Sequence, residues 1–302
     1  MKHLRLFKTN ADYESATLEL PNVSYVEETG SVFCKPSIDY SKEYFTIQSL
    51  EDNNEINFKP FYYDPVNTGI SNTISYQLEG SDSWNTLTYS ETLVLNENQT
   101  AKFKMNDPTI ISFGYGPGTV GIGTFYVSKT YNVKGNIMSL LHGDDFVGKV
   151  SLSDKAGVFT RLFMPYNKSN PLIDAGNLIL PATILASGCY AYMFNANNLL
   201  TTAPKLPATT LISGCYMYMF RACSSLITAP ELHATTLANY CYHEMFYYCT
   251  SLNYIKMLAT DISANGCLTD WIKNVSSTGT FVKSTSADIP TGTSGIPEGW
   301  TV

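Results

Sequence analysis

The sequence predicts an α+β chain in three parts: a small N-terminal α+β unit, a β-sandwich-like middle domain and a C-terminal repeat solenoid. Three observations carry this. A repeat with a period of 26 residues runs through the C-terminal part. Seven short β-rich runs, spaced roughly ten residues apart, precede it and suggest a small sandwich. Ahead of those, residues 1–40 hold a strand-like alternation, a candidate helix cap and two more strand-like runs.

Taken in order, residues 3–7 alternate as a strand would, and Asn10 is placed to cap a short helix over 11–18, with Tyr13 and Ala16 among its inward candidates. Residues 23–26 and 31–34 read as two strands around the turn Glu28-Thr29-Gly30. In the middle domain, 41–146, the runs are 44–47, 55–59, 73–77, 86–89, 92–95, 100–105 and 124–127, with Trp84 as a core or edge aromatic. The third part, 147–302, opens with the half-unit Phe159-Thr-Arg-Leu-Phe163 and continues in 26-residue units from Leu180, Leu206 and Leu232. The first two full units agree at 17 of 26 positions. A degenerate unit from Leu258 keeps Cys267 but has Trp271 and Ile272 in place of the Met-Phe pair. Degenerate ends are expected, because an end unit faces water on one side.

One unit cannot bury its apolar residues alone, so units must stack and equivalent side chains must form ladders. Cys189, Cys215, Cys241 and Cys267 make one ladder. Phe194, Phe220 and Phe246 make a second, and Met193, Met219 and Met245 a third. If 215–223 is helical, Cys215, Met219 and Cys223 fall on one inward face, with Ser187, Ser213 or Asn239 as N-caps.

Each central unit places a Phe, a Cys three residues later and a Leu three after that: Phe220, Cys223 and Leu226, then Phe246, Cys249 and Leu252; the first unit has Phe194, Asn197 and Leu200. With the Leu-Pro-Ala-Thr that opens units at Leu180 and Leu206, this pattern resembles the BspA-like leucine-rich repeats, over about 130 residues. The 26-residue unit is longer than the commoner one. The opening LRLFKTNADYESA and the closing SGIPEGWTV also resemble ends found on such proteins of gut bacteria and their phages. The resemblance implies adhesion or ligand binding at a surface, and it carries over no catalytic residues.

Composition narrows the function further. Charged residues are 15% of the 302, below the ~25% usual for globular domains. Uncharged polar groups must therefore cover much of the surface. The 21 tyrosines suit protein or sugar contact, and they equally suit strands. A net charge of −7 without a basic cluster argues against nucleic acid as a partner, because phosphate affinity needs Lys and Arg. No apolar run reaches the ~20 residues of a membrane span. Met1–Leu20 carries Lys2, Arg5 and Lys8 but no apolar signal-peptide stretch, so export by lysis or a non-classical route is expected.

The search for chemistry points away from an enzyme, a metal site or a cofactor. His243-Glu244 opens like a zinc-protease helix, yet Tyr247 stands where the second His is needed. Gly116-Pro-Gly118-Thr-Val-Gly121 matches the dinucleotide-loop pattern, but a strand-like run follows it instead of a helix. His142-Gly-Asp144-Asp145 sets an imidazole near two carboxylates, with a turn as the plainer reading. Six of the seven cysteines lie in the repeats. Packed helices stand ~8–10 Å apart, too far for a bridge, so buried free thiols are expected over disulfides.

What varies between units marks the candidate binding surface: Tyr192, Asn195, Met217, Tyr218, Arg221, His243, Glu244 and Tyr247. Ala186, Ile212 and Ala238 vary too. The expected function is non-enzymatic recognition of a host-surface glycan or protein, by a virion-associated or prophage-encoded protein. Its N-terminal region would contact other virion proteins. A bacterial adhesin on the cell envelope is the alternative, and a glycan-active enzyme a further one.

Overall fold

The computed structural model describes residues 39–59, 73–88, 90–106, 123–165 and 171–302, together with the backbone of three short strands ahead of them. Met1–Asp39 and Tyr40–Val302 are separate compact units. In the first, β1 (Leu6–Phe7) runs parallel to β2 (Ser24–Val26), which pairs antiparallel with β3 (Val32–Cys34). The helix expected over 11–18, the turn at 28–30 and the glycine-rich run 116–121 lie outside the described residues.

In the second unit, each of the seven β-rich runs contains a strand: β4 (Phe45–Ser49), β5 (Asn54–Lys59), β6 (Ile74–Leu78), β7 (Asn85–Leu87), β8 (Leu93–Leu95), β9 (Thr100–Met105) and β10 (Thr124–Val127). Alternation decides which face turns inward; in β5, Asn54, Ile56 and Phe58 are buried while Glu55 and Lys59 are exposed. The sequence reading did not include β11 (Tyr131–Asn136) or β12 (Leu172–Ile179). Strands β12-β11-β4-β9-β6-β7 form one six-stranded sheet, and β10-β5-β8 a second of three strands. Gly135 in β11 has φ +81°, and a Cβ there would stand 2.0 Å from the Tyr44 carbonyl oxygen, so only glycine lets the chain pass.

This architecture overturns the expected α+β class with its sandwich-like middle domain and leucine-rich-repeat-like solenoid. Among the described residues the α-helix is limited to α1 (Ser139–His142), and the rest is mixed sheet and turn. The middle strands do not close a sandwich of their own, because the large sheet takes in β12 from beyond residue 146 through a parallel pair with β11.

The repeats are not helical for a specific reason. Within residues 186–197, alternate N–H groups close local turns: Cys189 to the Ala186 carbonyl, Ala191 to Gly188, Met193 to Tyr190, Asn195 to Tyr192. The N–H groups between them leave the unit and reach the next one: Gly188 to Ser213, Tyr190 to Cys215, Tyr192 to Met217, Phe194 to Met219. The same step of 25 residues joins Tyr216 to Cys241, Tyr218 to His243 and Tyr242 to Cys267. Every fourth residue is left-handed, at Gly188, Tyr192 and Ala196, then Gly214, Tyr218 and Ala222. An α-helix admits no such residue and sends all its N–H groups along its own axis. Ser187 and Asn239 cap nothing: the Ser187 hydroxyl donates to the Ser213 carbonyl, and the Asn239 side chain accepts from the Asn265 N–H.

Stacked rungs carry the ladders. Phe163, Phe194, Phe220 and Phe246 stand at successive ring separations of 5.4, 5.3 and 5.7 Å. Phe163 also meets Phe45 of β4 at 5.7 Å, and Phe45 and Phe103 both pack on Phe125 of β10, so one aromatic core runs from the sheets into the repeats. Tyr190, Tyr216 and Tyr242 form a further buried ladder. The Asn-or-Cys position has a defined task. Asn197 donates to the Phe163 carbonyl at 2.9 Å, Cys223 to Phe194 at 3.1 Å and Cys249 to Phe220 at 3.0 Å, each closing a bond to the preceding rung.

The six repeat cysteines are buried and free. The helix-spacing argument is not what keeps them so. Rungs joined by backbone hydrogen bonds stand roughly 4.8 Å apart, within the Cα range of a disulfide.

Both ends of the stack are closed. Upstream, the Phe125 N–H donates to the Leu162 carbonyl, and the Thr124 hydroxyl to that of Arg161. Downstream, β13 (Tyr254–Met257) pairs with β14 (Thr280–Lys283), and β14 in turn pairs with Thr301. The indoles of Trp271 and Trp300 donate to the Gly295 and Ser276 carbonyls. In the last unit Met257, not Leu258, pairs with Leu232, a shift of one residue that is recovered by Asn265.

Candidate recognition surface

The left-handed turn positions turn some side chains out of the stack, and the 25-residue hydrogen-bond step brings equivalent ones into columns across it. One column is Tyr192, Tyr218, Glu244 and Asp270; a second is Asn195, Arg221, Tyr247 and Lys273; a third is Ala191, Met217, His243 and Thr269.

Most of the expected surface residues meet in one network. Tyr192 and Tyr218 stack at 4.4 Å, and the Arg161 guanidinium lies 4.7 Å from the Tyr192 ring centre. The Tyr218 hydroxyl and His243 Nε2 are 2.9 Å apart. Arg221 Nε donates to Glu244 at 3.0 Å, and its guanidinium stands 5.0 Å from the Tyr247 ring. Lys273 approaches the same ring at 5.6 Å and bonds Asp270 at 3.2 Å. Burial works against ionisation of Asp270, but hydrogen bonds from Thr293 and Lys273 outweigh it and hold the carboxyl below its usual range. Half-exposed ion pairs and cation–π contacts contribute ~0–1 kcal/mol each, so the network orders the surface more than it stabilises the fold.

Asn195 departs from the expectation. It is 5% exposed, with its amide 3.7 Å from the Met164 sulfur, because the short side chain is covered where Arg221 and Tyr247 extend outward. Ala186 is likewise buried, whereas Ile212 in its column is exposed. The sequence reading missed Arg161, Tyr240, Asp270 and Lys273. Tyr240 was legible as the residue standing where the neighbouring units have Gly188, Gly214 and Gly266.

Met217, Tyr218, Tyr240 and His243 wall a depression of about 360 Å³ floored by Ser187, Gly188, Ser213 and Gly214. His243 Nδ1 is buried and makes no hydrogen bond within the chain.

The other constellations are tethers. His142 ends α1, and Asp144 lies in the 3-10 turn after it. The Lys104 ammonium and the Tyr44 hydroxyl both bond Asp144 and hold its carboxyl low. Burial, then Asp144, pushes the Tyr44 phenol up to about 12. Trp84 packs on Tyr44 at 5.0 Å and under Lys104 at 4.3 Å, so this cluster ties α1 to β4 and β9. Among the described residues, no three His, Cys, Asp or Glu side chains converge as metal ligands would, and no helix is long and apolar enough to cross a membrane. Compared with known proteins, the chain matches no family model, no curated protein and no solved structure.

Proposed function

We propose that this chain is a non-enzymatic recognition protein whose repeat stack presents the Tyr192–Lys273 face to a glycan or protein on a cell surface. One observation carries the reading. Columns that point into the stack keep their residue type over the central rungs, as Phe194, Phe220 and Phe246 do, while the columns of the adjoining face change across it: Tyr218 gives way to Glu244, Arg221 to Tyr247, and Met217 to His243. Among them Tyr218, Tyr247, Arg221 and Met217 are of the types enriched where proteins bind. The scaffold holds them in place through backbone bonds, so contact groups differ without cost to the framework.

The resemblance to BspA-like repeats further supports a surface location, on a virion or on a bacterial envelope. The test is binding of the labelled chain to intact bacterial cells, comparing the native sequence with the double variant Arg221→Ala, Tyr247→Ala. Saturable binding that the double variant weakens, at unchanged Tm, supports the reading. Absence of saturable binding to any cell type tried refutes it.

A further inference from the structure

Tyr240 is the exception in its column. Gly188, Gly214 and Gly266 have φ of 60°, 62° and 61°, and Tyr240 adopts 56° in the same place. A left-handed backbone suits glycine and costs other residues roughly 1–2 kcal/mol. The third rung therefore holds a bulky ring where three rungs hold none. Left-handed tyrosines recur in other columns, at Tyr192, Tyr218 and Tyr248, so what sets Tyr240 apart is the replacement of glycine within its own column.

The ring is held firmly. Asn265 Nδ2 donates to its hydroxyl at 2.8 Å, and the ring rests against Gly266, where a Cβ would come within 2.5 Å of Tyr240 Cε1. Tyr240 is nevertheless 41% exposed. Two glycines in succession and then a tyrosine make a step: Gly188 and Gly214 leave the floor low, and Tyr240 stands up as its wall.

The chemistry of this depression is selective. Its lining combines aromatic rings, small hydroxyls and a thioether, and it includes no Asp, Glu, Lys or Arg. Ser187 and Ser213 are exposed in its lining. At about 360 Å³ the volume lies at the lower end of the ~300–1,000 Å³ of small-molecule sites. A flat apolar wall, hydroxyls at the base and no fixed charge suit a ring with one C–H face and several hydroxyl groups.

We infer that this depression binds one pyranose ring of a neutral glycan, with Tyr240 as the stacking wall. The inference rests on the recognition reading and names its ligand class. Two variants test it from opposite sides. Tyr240→Gly removes the wall and brings in the residue the other rungs carry. Gly214→Tyr fills the floor; a Cβ there meets nothing closer than Met217 Cε at 3.9 Å, so the backbone accommodates it as it does Tyr240. The probes are immobilised neutral oligosaccharides ending in glucose, galactose or N-acetylhexosamine, with sialylated ones as the acidic comparison.

The native chain is expected to bind at least one neutral probe. Both variants should bind it about ten-fold or more weakly, the equivalent of ~1.4 kcal/mol, with Tm preserved in Tyr240→Gly. Tyr240→Phe, which keeps the ring, should retain binding. Undiminished binding by Tyr240→Gly overturns the inference, as does native binding confined to acidic probes or to none. Those outcomes leave the recognition reading standing if the native chain still binds cells; loss of cell binding as well removes both.

Discussion

Raising the pH should unfold this protein well before its backbone is chemically damaged. Cys189, Cys215, Cys223, Cys241 and Cys249 are buried inside the stack, and burial pushes each thiol above its ordinary value of 9.0, to about 12 at Cys189 and Cys241. In the unfolded chain these thiols ionise near the ordinary value; in the folded chain they keep their protons. The unfolded state therefore binds fewer protons above that value, and stability falls as pH rises through the window between the two. A thiol that titrates at about 12 folded and about 9 unfolded, as at Cys189 and Cys241, loses about 1 kcal/mol of stabilisation by pH 10, and Cys215, Cys223 and Cys249 add losses in the same direction. Losses of this size, taken together, are a substantial part of the ~5–15 kcal/mol margin of an ordinary domain. Buried Tyr190, Tyr216 and Tyr242, whose phenols are also pushed up, add to the loss at higher pH. The assay is equilibrium urea unfolding in reducing buffer at half-unit steps from pH 7 to 10.5, followed by tryptophan fluorescence. Below pH 8 the midpoint should be flat; above pH 9 it should fall steeply. A midpoint unchanged between pH 8 and 10 refutes the reasoning. So does rapid reaction of these thiols with a disulfide reagent in the native state.

Other expectations follow from single positions. Phe220→Ala removes a ring held between Phe194 and Phe246 and should cost ~3–5 kcal/mol in the same urea assay, with Phe220→Leu costing less. Gly135→Ala should cost roughly 3 kcal/mol or prevent folding, since the added Cβ meets backbone that cannot give way; a normal midpoint would place Tyr44 elsewhere. The Tyr216 hydroxyl is buried and makes no hydrogen bond within the chain, so Tyr216→Phe should leave stability unchanged or raise it by up to ~1 kcal/mol. A loss of stability there would reveal a hydroxyl partner.

The sequence carried some of this and hid the rest for physical reasons. Strands such as Thr100–Met105 were visible because burial on one face forces alternation. β11 and β12 were not, because Gly135, Gly176 and Asn177 interrupt the pattern with residues the close approaches require. The 26-residue period was plain, but the path of the chain within it was not. Cys215, Met219 and Cys223 are all buried, as a helix would have them. A chain of turns that repeats every four residues buries the same spacing as a helix of ~3.6, and across eight residues the two drift too little to separate. Gly188 and Gly214 were a weak signal: directly after a Ser N-cap glycine costs a helix little, and a left-handed turn calls for it as well. On the surface, variation between units picked out Tyr218, Arg221, His243 and Tyr247, and missed Asn195's burial because the alignment says nothing of side-chain reach.

The constant hydrogen-bond step has a consequence at the level of the gene. A tandem duplication of 26 residues within the units at Leu180 and Leu206, where the 25-residue step holds from Gly188 to Phe194, returns those donors to acceptors, since rungs bond their neighbours and the two ends are closed by other parts of the chain. Length can then change by whole rungs through recombination between similar stretches, while a shift of one residue, like that at Met257, has to be recovered within the unit. The units at Leu180 and Leu206, alike at 17 of 26 positions, give such recombination its footing, and the contact face then widens by a rung in a single genetic event.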